Sequence, residues 1–150
     1  MNFLSPNAAL FKSFSYSPNS PGSNLNAHIA SAVCIDKQGI LWVGTDGGGI
    51  NVLENGQRIA TYTENSGNLS GNSIPAALCD QKGNLWFGIF YGGIMFYDKH
   101  TKNFRQIFPK EQATYDVRSL FEDKEGIIWV GTSEGVFQID RNSQKILHHI

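Results

Sequence analysis

The segment that decides the fold spans residues 36–50 and reads Asp36-Lys37-Gln38-Gly39-Ile40-Leu41-Trp42-Val43-Gly44-Thr45-Asp46-Gly47-Gly48-Gly49-Ile50. Two later segments repeat the pattern, and they read Asp80-Gln81-Lys82-Gly83-Asn84-Leu85-Trp86-Phe87-Gly88-Ile89-Phe90-Tyr91-Gly92-Gly93-Ile94 and Asp123-Lys124-Glu125-Gly126-Ile127-Ile128-Trp129-Val130-Gly131-Thr132-Ser133-Glu134-Gly135-Val136. The three tryptophans of the chain occupy the same place in each copy, 44 and 43 residues apart. Such a period is typical of four-stranded propeller blades. The repeat therefore predicts an all-β chain of β-propeller blades.

Each copy contains the signals of one hairpin. The Asp of the Asp-x-x-Gly turn can accept hydrogen bonds from the backbone two residues on, and the Gly can take a positive φ. A strand around the tryptophan follows, then a Gly-rich turn and a third strand. Before the Asp, small residues such as Ala30, Ala32 and Ala76 fit an innermost strand, where neighbouring blades converge.

Strand counting gives about three and a half blades, a partial propeller within one segment, 1–150. The divisions are a half blade plus loop at 1–27 and complete blades at 28–63, 73–108 and 115–150. A closed ring needs about four to eight blades. We therefore expect either a piece of a longer array or copies that cover each other's open ends, because unpaired edges recruit partners. The isolated chain is predicted to form homo-oligomers.

Composition supports a folded β protein without a strong charge preference. Hydrophobic residues make up 41% of the chain and 16 positions are Gly, which suits many tight turns. The net charge of −1 gives no support for nucleic acid or an anionic membrane as a partner of this segment. No run approaches the roughly 18 apolar residues of a membrane helix, and residues 1–6 lack signal-peptide features. Any export signal or membrane helix is expected to lie outside this chain.

The repeated Asp and Trp residues are interpreted as structural. Asp36, Asp80 and Asp123 would each lie at the turn of a different blade, so they could not converge on one substrate. The tryptophans, flanked by apolar residues, would fill the space between blades. Cys34 and Cys79 would point to opposite faces of neighbouring inner strands and stay free thiols.

No cofactor or metal site is predicted. His28 and His100 are isolated, and His148 and His149 are consecutive, so they would project to opposite faces of a strand. The glycines at 47–49 are not followed by a helix start or by the Lys-Ser/Thr of a phosphate loop. On these grounds, no catalytic set is predicted.

The repeated pattern, Ile-x-x-Asp-x-x-Gly-x-Leu-Trp-Val-Gly-Thr-x-x-Gly-Gly-Ile followed by an aromatic outer strand, resembles the two-component regulator propeller repeat. In that family, such repeats build the periplasmic sensor region of hybrid two-component histidine kinases of Bacteroides-type bacteria. Two departures concern the turns, because Ile89 to Tyr91 replace the usual Thr-x-x and the segment 133–136 has lost one Gly. The three turns are therefore not expected to bind the same ligand.

The resemblance implies a non-catalytic sensor segment that detects a nutrient such as an oligosaccharide and contributes to transmembrane signalling. It implies a periplasmic location, within a sensor anchored in the inner membrane. It also implies that the partners of this segment are other propeller and sandwich parts of the parent sensor, which lie outside this chain.

Candidate ligand contacts are predicted where the copies differ. The turn after the second strand and the loop that enters the next inner strand emerge at one rim, and loops on a rigid scaffold carry binding. The candidates at this rim are Asn26, His28, Asp46, Asn72, Phe90, Tyr91, Tyr115, Arg118 and Glu134. Phe90 and Tyr91 stand out because two aromatic residues occupy a tight turn.

Two other functions stay open from the sequence. Streptogramin lyases have similar Asp-x-x-Gly-x-Ile-Trp blades with a His and a Glu at the channel mouth, and here His28 and Glu134 are the pair that could match. The second alternative is a scaffold propeller whose rim binds only other proteins.

Overall fold

The structure is a computed structural model that describes residues 13–19, 24–108 and 115–150. These residues contain twelve β-strands, arranged as three four-stranded antiparallel sheets, and within them there is no helix. The first sheet consists of β1 (Ala30–Ile35), β2 (Leu41–Thr45), β3 (Ile50–Glu54) and β4 (Gln57–Tyr62). The second consists of β5 (Ala76–Cys79), β6 (Leu85–Ile89), β7 (Gly93–Asp98) and β8 (Asn103–Gln106). The third consists of β9 (Val117–Glu122), β10 (Ile127–Thr132), β11 (Gly135–Asp140) and β12 (Ile146–His149).

The predicted fold class is confirmed, because each sheet is a meander with its strands paired in chain order, as in a propeller blade. We call the sheets blades 1, 2 and 3. The predicted strands of the first half blade fall mainly on residues 1–12, which lie outside the described residues. The described residues 13–19 and 24–29 form no strand.

The Asp that opens each repeat fastens the turn to the tryptophan. In blade 1, Asp36 Oδ1 accepts hydrogen bonds from the backbone N–H groups of Gln38 (2.9 Å) and Ile40 (3.0 Å), and Oδ2 accepts one from the Trp42 indole (3.0 Å). Blades 2 and 3 repeat this arrangement at Asp80 and Asp123, with indole bonds of 2.9 and 2.7 Å. The structural interpretation of these carboxylates is confirmed.

Trp42 and Trp86 lie between blades, as predicted, whereas Trp129 lies on the side of blade 3 that faces away from blade 2. Trp42 packs against Phe87 and Tyr97 of blade 2, with the Tyr97 ring centroid at 4.9 Å. Trp86 belongs to the corresponding cluster between blades 2 and 3, where it meets residues such as Ile128. The core of the molecule is therefore two layers of apolar side chains between three stacked sheets.

Gly44 and Gly88 let successive blades approach closely. A Cβ on Gly44 would lie 2.7 Å from Ile74 Cγ2, and one on Gly88 would lie 2.5 Å from Val117 Cγ1. Ile74 and Val117 stand at the entry to the next inner strand. In blades 1 and 2, the Gly of the second strand is thus the point over which the next blade enters.

The cysteines differ from expectation in one respect. They are free thiols on inner strands, but both pack against the same cluster between blades 1 and 2. Opposite faces of neighbouring sheets meet when the sheets stack, so the predicted opposite orientation brings Cys34 and Cys79 toward one interface rather than apart. Burial raises the pKa of Cys34 to about 12, with a further contribution from Cys79.

The two ends of the stack are unlike each other. The free side of blade 1 is covered by Phe14, Tyr16 and Leu25. On blade 3, the side turned away from blade 2 carries Phe121 and Val136, both exposed, and the half-buried Trp129. We call these three residues the end face. In the described residues no helix is long and apolar enough to cross a membrane.

Candidate functional site

A cleft with two adjoining lobes lies at the rim where the turns after β2 and β6 meet the loops that enter β1, β5 and β9. The first lobe has a volume of about 410 Å³ and the second about 360 Å³. Ile29 and Asp46 line both lobes, so we treat them as one site, the rim cleft. The first lobe is also lined by Tyr16, Asn26, Ala27, His28 and Gly47, and the second by Ser31, Ser73, Pro75, Phe90 and Arg118.

Backbone hydrogen bonds fix the turn of blade 1 against the entry loop of blade 2. The N–H groups of Gly47 and Gly49 both donate to the carbonyl of Asn72, at 3.0 and 2.8 Å. The Asp46 N–H donates to the carbonyl of Ile29 (3.0 Å), and Ser73 Oγ donates to Asp46 Oδ1 (2.6 Å). Asp46 is therefore held in place between the lobes before any ligand arrives.

The turn of blade 2 is held by the same entry loop and presents two aromatic rings. The Phe90 N–H donates to the carbonyl of Ser73 (2.9 Å). The rings of Phe90 and Tyr91 pack edge to face with their centroids 4.4 Å apart. Tyr91 is 65% exposed, while Phe90 is partly covered and lines the second lobe.

Arg118 closes the far side of the second lobe. Its guanidinium carbon lies 5.1 Å from the centroid of the Phe90 ring, and its Nη2 lies 2.5 Å from Asp116 Oδ2. The Asp116 side chain is buried, whereas the Arg118 side chain is 63% exposed. The ion pair with Asp116 thus holds the Arg118 side chain in place, and much of the guanidinium stays exposed to the cleft.

The first lobe is built from the loop before β1. The Tyr16 ring meets the His28 ring at 4.4 Å, edge to face. Asn26 is tied into the scaffold, since its Nδ2 donates to the Gly48 carbonyl (2.7 Å) and its Oδ1 accepts from Asn51 (2.7 Å). His28, Asp46 and the Tyr16 hydroxyl are the polar groups of this lobe that can still contact a ligand.

Six of the nine candidates predicted from sequence come together at this cleft. Five line its lobes and Tyr91 stands on its edge; the five are Asn26, His28, Asp46, Phe90 and Arg118. Whether they bind a ligand stays a prediction.

The other three candidates line neither lobe, although the Asn72 carbonyl holds the turn of blade 1. Asn72 uses its Oδ1 to accept the backbone N–H of Glu64 (2.8 Å), and Tyr115 packs against Phe137, with 5.6 Å between the rings. Glu134 lies in the turn of blade 3 and lines neither lobe. In the described part of the chain, no hydrogen bond or ion pair joins His28 to Glu134.

Sequence reasoning missed several residues of the site. These are Tyr16, Ile29, Ser31, Ser73, Pro75 and the supporting Asp116. Most lie one to three residues from a predicted candidate, so a search over whole entry loops, rather than over positions where the repeats differ, would have included them. Among the described residues there is no group of three His, Cys, Asp or Glu side chains that could hold a metal ion.

Comparison with known proteins gives one family. The model of the two component regulator propeller matches residues 24–47, 68–91 and 112–134, one stretch for each blade. The comparison with curated proteins gives no match.

Two similar solved structures come from B. thetaiotaomicron. The extracellular domain of the hybrid two component system BT3049 is 48% identical, with a TM-score of 0.76, over 84% of this chain and 16% of that chain. The extracellular domain of the hybrid two component system BT4673 is 25% identical, with a TM-score of 0.68, over 81% of this chain and 18% of that chain. The chain thus spans less than a fifth of the length of these structures.

Virginiamycin B lyase from Staphylococcus aureus has a TM-score of 0.62 at 16% identity, over 83% of this chain and 42% of that chain. At this identity the likeness concerns the fold alone.

Proposed function

Because the chain carries three repeats of the two-component regulator propeller family, we propose that it is a propeller segment from the extracytoplasmic sensor region of a hybrid two-component system. The similarity to the extracellular domain of BT3049, at 48% identity, supports this proposal. The segment itself is non-catalytic, and phosphorylation belongs to other parts of the parent protein. Its location is periplasmic, in a sensor anchored in the inner membrane.

The role of the segment is to bind a nutrient, such as an oligosaccharide, at the rim cleft. The observation that carries this proposal is the pair of adjoining lobes whose shared carboxylate, Asp46, is fixed by Ser73 and Ile29. Lobes of about 360 and 410 Å³ fall within the usual size of small-molecule sites. A ligand there would touch residues of all three blades and so link their positions, which is how binding would contribute to transmembrane signalling.

Isothermal titration with a panel of oligosaccharides tests the proposal. At least one member should release or absorb heat with the wild-type chain, and Asp46→Ala should weaken its binding about tenfold, the equivalent of one lost hydrogen bond to a charged group. Ser133→Ala is the matched control, because Ser133 occupies the same turn position in blade 3 but lines neither lobe. Equal affinities for Asp46→Ala and wild type would refute the cleft as the site.

The lyase alternative has weaker support. It depends on His28 and Glu134, and His28 packs against Tyr16 in the first lobe while Glu134 sits in the turn of another blade. Turnover of a streptogramin by the purified chain, abolished in both His28→Ala and Glu134→Ala, would establish the lyase and overturn the non-catalytic assignment.

The end face of blade 3 is our proposed contact for the adjoining part of the parent sensor. Its Phe121 and Val136 occupy the positions that correspond to Cys34 and Ile50 in blade 1, where the next blade covers them. The partners of this segment are therefore other propeller and sandwich parts of the same protein.

A further inference from the structure

We infer that the rim opposite the rim cleft holds a second binding site, which takes a tetrahedral oxyanion, phosphate or sulfate. The site is a pocket of about 280 Å³ at the Asp-x-x-Gly turns of blades 1 and 2, and we call it the lysine pocket. It is lined by Lys37 and Gln38 of blade 1 and by Lys82, Asn84, Lys99 and His100 of blade 2. The inference is independent of the proposed function, because the lysine pocket and the rim cleft share no lining residue.

Two kinds of turn bring the three lysines together. Lys37 and Lys82 belong to the Asp-x-x-Gly turns between the first and second strands of their blades. Lys99 and His100 follow β7, in the turn that leads to β8. Both kinds of turn lie at the same end of a blade, because its strands are antiparallel and paired in chain order. The pocket therefore lies where two blades meet, and an ion bound in it would contact both.

Lys99 is fixed at the wall of the pocket. It reaches from blade 2 to blade 1, where its Nζ donates to Asp36 Oδ2 (3.0 Å) and to the side-chain oxygen of Gln38. The Asp36 side chain is fully buried, while 24% of the Lys99 side chain is exposed. An ammonium group has three N–H donors, so one of them remains for a ligand.

Lys37 and Lys82 carry positive charge that no carboxylate offsets. The aliphatic part of Lys37 lies over Gly83, because a Cβ there would be 3.3 Å from Lys37 Cδ. Its Nζ donates to a neutral acceptor, the carbonyl of Gln81 (2.5 Å). Lys82 is exposed, and in the described part of the chain neither of these two ammonium groups forms an ion pair.

The lining of the pocket favours a compact anion with several oxygens. Of the described residues that line it, none is an Asp or a Glu. The neighbouring pocket contains Asp98, but there it is accompanied by Arg105 and Arg141. Three ammonium groups around a small space supply more N–H donors than one carboxylate can accept, whereas a phosphate or sulfate has an oxygen for each of them.

The repeat itself does not require this set of charges. The position of Lys82 is occupied by Gln38 in blade 1 and by Glu125 in blade 3. A glutamine is therefore compatible with the turn, and the lysine adds charge without adding a contact within the fold. Lys124 of blade 3 corresponds to Lys37 but does not line the pocket, so it provides a control for general charge attraction.

NMR titration of the 150-residue chain with inorganic phosphate tests the inference. The titration is made at neutral pH, and sodium chloride keeps the ionic strength constant, because screening alone changes the shifts near surface charges. We expect saturable shift changes of backbone amides at residues 37–38, 82–84 and 99–100. A parallel titration with sulfate shows whether the pocket accepts both ions or only one of them.

Two variants separate a specific site from nonspecific attraction. Lys82→Gln should weaken the binding of the preferred ion about tenfold, the equivalent of one lost hydrogen bond between charged groups. It should leave the melting temperature unchanged, since the Lys82 ammonium has no partner among the described residues. Lys124→Gln removes the same charge from the chain and should leave the affinity unchanged.

Three results would overturn the inference. These are the absence of saturable changes with both ions, an unchanged affinity in Lys82→Gln, and an equal loss of affinity in Lys82→Gln and Lys124→Gln. None of them bears on the rim cleft, whose own test uses oligosaccharides and Asp46→Ala.

Discussion

The carboxylates of Asp36, Asp80 and Asp123 each serve two elements of a blade at once. Through Oδ1 they satisfy backbone N–H groups of the turn, and through Oδ2 they bind the indole of the following strand. Asp36 and Asp80 are buried, so water could not supply these hydrogen bonds in their place. The bonds therefore contribute to the stability of the hairpins.

Asp80→Ala should destabilise the chain by about 2–4 kcal/mol, because it leaves the Trp86 indole and two backbone N–H groups without partners in a buried place. Asp98→Ala is a suitable control, since Asp98 also accepts two backbone bonds in a turn but is not buried and holds no tryptophan. Urea unfolding followed by tryptophan fluorescence measures both. A loss no larger in Asp80→Ala than in Asp98→Ala would contradict the account.

Stability should fall in acid through the same carboxylates. Burial alone would raise the pKa of Asp36, but the Trp42 indole, Lys99 and two backbone N–H groups hold the pKa below its ordinary value. The Trp129 indole, Ile127 and other backbone groups likewise lower the pKa of Asp123. The unfolded chain therefore binds more protons in acid than the folded chain.

The stabilisation is accordingly complete above the unfolded-state pKa of about 3.9 and is lost as pH falls through the lower folded-state values. Urea midpoints measured from pH 7 to pH 3 should drop below about pH 4, and Asp36→Asn should make the drop smaller. A midpoint that is constant over this range in the wild-type chain would show that these bonds do not act in this way.

At the scale of the elements, the junction between blades depends on glycine. Gly88→Ala should cost about 1–3 kcal/mol, because its Cβ would lie 2.5 Å from Val117 Cγ1 at the entry of β9. The double variant with Val117→Ala makes room and should restore part of the loss relative to the sum of the single variants. Strictly additive effects in urea unfolding would show that the two residues are not in contact.

Much of the arrangement of strands and turns within a blade was predictable from sequence, because its signals are local. The Asp-x-x-Gly turns and the tryptophan spacing predicted the inner hairpins. The positions where the turns and entry loops differ predicted that Asp46, Phe90 and Arg118 belong to one rim. These predictions needed only the antiparallel order of strands within a blade. The strands of the first half blade remain a prediction, since they fall mainly outside the described residues.

The residues that were missed depend on how blades sit against each other. Ser73 acts on the site through Asp46, which lies in the turn of the preceding blade. Asp116 lies just before β9 and acts through Arg118 of that strand. No local sequence pattern marks either residue. The cysteines show the same limit. Alternation along a strand predicts which face a side chain takes, but only the stacking of sheets shows that Cys34 and Cys79 share an interface.

At the scale of the whole molecule, the end face of blade 3 predicts self-association of the isolated chain. Phe121 is 63% exposed, Val136 is exposed on the same side of the sheet, and a second copy would bury both. Light scattering over a range of concentrations should give a mass above 16.6 kDa. Phe121→Glu should return the mass to that of a monomer, whereas Ile59→Glu, at an exposed apolar residue of β4, should not. A monomeric wild-type chain at every concentration would contradict the prediction.

The central claim is that this propeller segment recognises its ligand at the rim cleft rather than along the turns that open each repeat. Backbone NMR spectra of the chain, recorded during titration with the best-binding member of the oligosaccharide panel, test it most directly. We expect chemical-shift changes at residues 26–31, 46–47, 73–75, 90–91 and 118. Changes confined to the opposite rim, at residues 37–39, 81–84 and 99–102, would contradict it.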